Sequence, residues 1–241
     1  MANEELGRIN RPEAGDILTR RKVYVVPLVH PAPGAPEGFE ERFEKYWQAV
    51  DRQVTNLEQR AGSVAKIFVE GVPAWGADGL LMVQQTNPQA HRVIRDRVEA
   101  GAKFESFEDE ELFGQVVDWG RCLQVGLINR SVAETIRDNY IKASEGRQRH
   151  LEKRLAEGIE EAEAALVLTS ADNVKTPDDV ERFFVAPPEL DELERWIRDV
   201  NEAIRQSEES GEQPGQPPQQ DQDQGNRPSS AGGGLWTPGS R

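Results

Sequence analysis

Apolar positions along the chain follow two rhythms that take turns. Short unbroken runs rich in β-branched residues read as strands buried on both faces, and apolar residues three and four apart read as amphipathic helices. The first run, "KVYVVPLVH" from Lys22, ends at His30 and the breaker-laden "PAPGAPEG", which predicts a buried strand and then a loop. Phe39, Phe43, Trp47, Val50, Val54 and Leu57 recur at helical spacing up to Gly62. A second strand, Ala65 to Val69, closes on Glu70, and the stretch around Trp75, Gly76 and Gly79 that follows has no clear rhythm. Asn87 and Pro88 then open a helix as its cap and first turn, with a stripe of Ala90, Val93, Ile94 and Val98, and Gly101 stops it.

"AKFESF" predicts a short third strand running into "EDEEL", and Glu110 to Gly158 reads as helix in at least two pieces, with Ser131 able to cap the second. "EAALVLTSADN" predicts strand four and Arg182 to Val185 strand five. Leu190, Leu193, Trp196, Ile197, Val200 and Ile204 predict a last amphipathic helix. Strands alternating with helices predict an α/β fold: a mostly parallel sheet of four to five strands flanked by helices. The domain spans residues 21–206, after a flexible lead-in over 1–20. From Ser207 apolar periodicity stops, and Gly, Pro, Gln, Ser and acids dominate, which predicts a disordered acidic tail over 207–241.

Charge and cysteine usage narrow the partners. A formal net charge of −14 argues against a nucleic-acid backbone or an anionic membrane as partner. The single cysteine, Cys122, cannot form an internal disulfide and reads as core filler in a helix rather than as a nucleophile. No apolar run reaches the roughly eighteen residues of a membrane span, and the N-terminus lacks the apolar region of a signal peptide, so the expected location is cytoplasmic.

In open parallel sheets ligands sit beyond the carboxyl ends of the strands. Those ends carry His30, then Glu70, then Glu108 and Asp109, then Asp172 with Asn173. Imidazole and carboxylates converging on one rim could hold a divalent metal such as zinc or manganese, or do acid–base work without one. Each residue also has a plainer reading. His30 suits an ordinary loop, Glu70 could cap a helix or pair an arginine, and "EDEE" suits a solvated helix start, with Glu108 the exception to expect. Glu105 alternates with Phe104 and Phe107 and could simply face solvent, while His91 and His150 sit within helices as surface or core-edge residues.

The stretch "EGRQRHLEKRLAEGIEEAEAALVLTSADNV" resembles the C-terminal signature of TraB/Tiki-type proteins, related to the ChaN and erythromycin-esterase-like group. Arg147 matches the arginine that leads the signature's helix, and "ALVLTSADN" its strand and turn. "PLVH" resembles the family's Gly-x-x-His element with His30 at the histidine, and "IFVEGV" the strand whose closing glutamate is functional, here Glu70. The resemblance covers about residues 22–186. It implies an α/β core and, for some members, metal-dependent hydrolysis of peptides or esters, or modification of small molecules. Pro27 stands where the family's first glycine would be. The last turn reads Ser170-Ala171-Asp172-Asn173 with no histidine, so Asp172 would have to serve as an oxygen ligand and Asn173 as a neutral one.

Two functions from different classes follow. One is a hydrolase acting on a small-molecule or peptide substrate, with His30, Glu70 and Arg147 as its working residues and His30, Glu70, Glu108 and Asp172 as ligands if a divalent metal is used. In it Arg147 clamps an anionic group or transition state. The other is a non-catalytic binding or adaptor protein, with Asn173 and Trp236 as contacts. Its docking element would be "GGGLWTPGSR", where Leu235 and Trp236 follow a Gly-rich spacer and weakly resemble the peptides that target cargo to encapsulin shells. An ordinary disordered terminus accounts for the same residues.

Overall fold

A computed structural model describes residues 19–170 and 175–210, the last three as backbone only. Asp172, Asn173 and Trp236 lie outside these residues. Five strands, β1 (Arg21–Pro27), β2 (Val64–Val69), β3 (Lys103–Glu105), β4 (Ala164–Thr169) and β5 (Val180–Phe184), form one sheet in the order β3-β2-β4-β1-β5. Every pairing is parallel, with Lys22 opposite Ala164 and Val26 opposite Leu168 in the central pair. The fold class predicted from the alternating rhythms is the one observed.

The strands read as unbroken apolar runs because both faces are covered. Tyr24, Val26, Ile67, Leu166 and Leu168 point into one core, and Val23, Val25, Phe68, Ala165 and Val167 into the other. The first core is closed by α1 (Phe39–Ala61), α2 (Gly76–Thr86), α3 (Pro88–Glu99) and the start of α6 (Pro188–Ser210). The second is closed by Leu151 and Leu155 at the far end of α5 (Arg130–Gly158) and by Ile159 just after it. Between β3 and α5 lies α4 (Glu110–Gln124). Contacts divide the chain between Val200 and Asn201, and residues 201–210 of the second unit are helical.

Several local expectations need correction. The arrhythmic stretch after Glu70 folds as α2, whose Trp75 cap makes no side-chain hydrogen bond. A Cβ on Gly79 would come within 2.4 Å of the Phe104 ring, so this helix is built around a missing side chain, and no periodic signal announces it. Asn129, not Ser131, caps α5, accepting a hydrogen bond from the Val132 N–H at 3.2 Å. Cys122 is only half-buried, on a helix with no buried residue, and is not core. Strand five starts at Val180, two residues before Arg182, because pairing with β1 begins at Arg21. Glu105 is half-buried and pairs with Arg154 at 3.5 Å.

Candidate functional site at the carboxyl ends of the strands

The strand order sets which side chains meet. β2 lies between β3 and β4, so Glu70, one residue past β2, has the β3 exit on one side and Thr169 and Ser170 on the other. The Glu70 N–H continues the ladder to the Leu168 carbonyl at 2.9 Å. The chain then turns through Gly71 at φ 83, a left-handed conformation that favours glycine. On the β3 side, the N–H groups of Phe107 and Glu108 both donate to the Val72 carbonyl. Asp109 follows as the cap of α4, accepting from the Leu112 N–H at 2.9 Å. Within the acidic run the roles therefore split: Asp109 serves the helix, and Glu108 turns inward with a side chain 0% exposed.

Arg147 of α5 reaches this point from the second helical layer. Its guanidinium donates from Nη2 to Glu70 Oε1 at 2.8 Å, from Nε to Glu108 Oε2 at 2.9 Å, and from Nη2 to Glu108 Oε1. Glu70 Oε2 accepts from the Thr169 hydroxyl at 2.7 Å and the Ser170 N–H at 2.6 Å, and Glu108 Oε1 accepts from the Gly71 N–H at 2.9 Å. The Phe113 ring of α4 lies 5.4 Å from the guanidinium carbon, a cation–π contact. Both carboxylates thus accept hydrogen bonds at each oxygen, which is how a buried charge is made tolerable.

The electrostatics follow from that wiring. Burial works to raise the Glu70 pKa, but the Ser170 N–H, Arg147 and the Thr169 hydroxyl outweigh it and hold the carboxyl below its ordinary range. Burial likewise opposes the charge on Arg147, and Glu108 and Glu70 reverse this, keeping it firmly protonated. Two carboxylates against one guanidinium leave the cluster with one net negative charge.

His30 lies three residues beyond β1 on the same rim. The segment leading to it is fixed by the Leu28 N–H bonded to the Thr169 carbonyl at 3.0 Å, and by Asn87 Nδ2 bonded to the Val29 carbonyl at 2.8 Å. Asn87 also caps α3, accepting from the Ala90 N–H at 3.1 Å. The His30 side chain is exposed, yet the crowded rim desolvates the imidazole enough to lower its pKa, against an opposite pull from Glu70. Its ring is therefore neutral at neutral pH and free to accept a proton.

Of the residues singled out from sequence, Glu70, Arg147 and Glu108 come into contact, and His30 is near enough to feel the Glu70 charge. Thr169, Ser170, Gly71 and Phe113 complete the cluster without having been predicted. Only Thr169 left a trace in sequence, as the one hydroxyl ending an apolar strand. His91 and His150 are half-buried on their helices. Among the described residues no group of three or more His, Cys, Asp or Glu side chains is placed to hold a metal ion. Glu70 and Glu108 direct their oxygens at a guanidinium, and a cation in their midst would have to displace it. The chain matches no model of a known protein family, no curated protein and no solved structure.

Proposed function

We propose that the rim at the carboxyl ends of the strands is the active site of a hydrolase-like enzyme acting on a small-molecule or peptide substrate, working by acid–base chemistry without a resident metal. The observation that carries this reading is an exposed His30 on the same strand-end rim as Glu70, whose carboxylate is held by Arg147, the Thr169 hydroxyl and the Ser170 N–H. In it His30 takes a proton from an attacking water, and the charge of Glu70 steadies the imidazolium that forms. Arg147 and Glu108 act through Glu70, as positioning residues. The TraB/Tiki-type resemblance supports the same reading through His30, Glu70 and Arg147.

A panel of activated esters and short peptides tests it. The wild-type protein should turn over at least one class, with a rate that falls as pH drops below 6.5, the ordinary histidine value, because protonation removes the base. His30→Ala should lose about 10²-fold or more in kcat/KM, and chelators should leave the rate unchanged. An equally active His30→Ala protein would overturn the assignment.

A second reading, a non-catalytic binding or adaptor protein, draws on the saturation of both carboxylates by protein donors. Such wiring suits a rigid structural cluster as well as a reactive one. Binding of a panel compound at the rim with no turnover by the wild-type protein would favour it.

A further inference from the structure

Between α1 and α3 runs a groove whose polar groups are only half used. The buried Trp47 and Val93 line its floor. At spacings of three and four, Glu44, Gln48 and Asp51 of α1 and Gln89, Arg92 and Asp96 of α3 form its walls. The buried Arg97 of α3 donates to Asp51 at 2.8 Å and to Glu58 of α1 at 3.1 Å, which fixes the distance between the helices. The groove holds about 140 Å³, close to the roughly 150 Å³ of a cavity that binds benzene. Trp47 is 2% exposed, and its indole Nε1–H has no hydrogen-bond partner among the described residues. Phe43 and Tyr46 pack their rings against the indole and give it no acceptor, whereas the groove can admit one. Buried donors left without a partner are rare in proteins. Acceptors, in turn, stand unused on the walls. Asp51 accepts from Arg97, Asp96 from Arg95 and Glu44 from Gln48, each through one carboxylate oxygen, and the second oxygen of each has no partner among the described residues.

We propose that this groove binds a small neutral polyhydroxyl compound, such as a pyranose sugar. A hydroxyl both donates and accepts, so vicinal hydroxyls can accept from the indole N–H and donate to the unused carboxylate oxygens at once. Other classes fit less well. An anion would face those same oxygens. A cation finds no surplus charge, because Arg97, Arg95 and Arg92 already balance Asp51, Asp96 and Glu44. No group of three or more His, Cys, Asp or Glu side chains among the described residues is placed to hold a metal ion, and an apolar ligand would strand the polar walls. Gln48 and Arg92 are exposed and reach Glu44 only at 3.4 and 3.7 Å, so they can swing aside to bring a hydroxyl to Nε1. None of His30, Glu70, Glu108 and Arg147 lines the groove, so this binding is independent of the chemistry proposed at the strand ends.

Titration of the full chain, followed by the Trp47 indole N–H signal in NMR, tests this, and Trp47→Phe identifies the signal by removing it. D-Glucose should shift it saturably, with a dissociation constant of ~10 mM or tighter. Tetrahydropyran, the same ring without hydroxyls, should leave it in place, and D-glucuronate should bind at least ~3-fold more weakly than glucose. Backbone amide shifts of α1 and α3 report binding in the variants. Trp47→Phe and Asp96→Ala should each weaken glucose binding about 3- to 10-fold, and Asp96 is exposed enough that its loss leaves the fold intact. No saturable shift up to ~100 mM glucose overturns the proposal. So does an equal response to tetrahydropyran, binding of the cationic D-glucosamine tighter than that of glucose, or unchanged affinity in both variants.

Discussion

Glu70 has to stay ionised where burial opposes charge, and its neighbours make that tolerable. The Ser170 N–H, Arg147 and the Thr169 hydroxyl each donate to it, and Arg147 balances Glu108 at the same time. Removing Arg147 leaves two carboxylates with no cation between them. We expect Arg147→Ala to cost about 3–5 kcal/mol in urea denaturation, and Arg147→Lys to recover only part, because a lysine cannot bridge both partners with a planar fork. Adding Glu70→Gln to Arg147→Ala should cost less than the sum of the two changes, since the added change relieves the repulsion between Glu70 and Glu108 that removing Arg147 leaves. Part of this cluster is legible in sequence. A carboxylate closing an apolar strand must find a partner, which singles out Glu70, but its partner lies 77 residues away and no local rule names it. Arg147 is reached only through the family resemblance. Glu108 stands out weakly because four acids in a row suit a helix start as well as a buried pair. Backbone donors such as the Ser170 and Gly71 N–H groups leave no trace in sequence, since every residue but proline has one.

Among the elements, α3 is the one whose start reaches furthest toward the site. Asn87 at its cap is 2% exposed and works in two directions, accepting from Ala90 and donating to the Val29 carbonyl one residue before His30. Asn87→Ala should cost about 1–2 kcal/mol in stability and loosen the His30 segment. Asn87→Asp keeps the cap but gives up the donor, so a similar broadening of the His30 imidazole signals in both variants would trace the effect to the Val29 bond. The helix itself was readable from Asn87-Pro88 and a regular stripe, whereas α2 was not. Its interior Gly79 argues against a helix on propensity, and the reason for it, the Phe104 ring of β3, is a tertiary fact. The same limit applies to β5, an edge strand whose start is decided by its neighbour rather than by its own alternation.

Across the whole molecule, pH dependence follows from groups whose pKa values folding displaces. Glu70 and Glu163 are held below their ordinary value of 4.5, in each case against burial, Glu163 by the Glu160 N–H and Lys66. Asp179 is lowered by its hydrogen bond to Arg21. For a lowered carboxyl, the unfolded chain binds the proton first, so its stabilisation is complete above the ordinary value and is lost as pH falls through the folded one. A lowered imidazole behaves alike from 6.5 downward, since protonating His30 is harder in the folded state. The urea midpoint should thus be level above pH 6.5, slip slightly below it, and fall steeply under about pH 4.5. Glu70→Gln should make the steep part shallower, and His30→Ala should remove some of the slip.

The strand order also governs when the protein can fold during synthesis. β1 is made first, but both of its neighbours, β4 and β5, come late, and its register sets Lys22 against Ala164. At about 5–20 residues per second, the strand at the heart of the sheet waits roughly 7–30 s for a hydrogen-bonding partner. During that interval Val23, Tyr24, Val25 and Val26, among the most deeply covered residues of the finished molecule, have nothing to pair with. β2 and β3 can pair well before then, but the centre of the sheet closes only when the segment ending in Thr169 has been made.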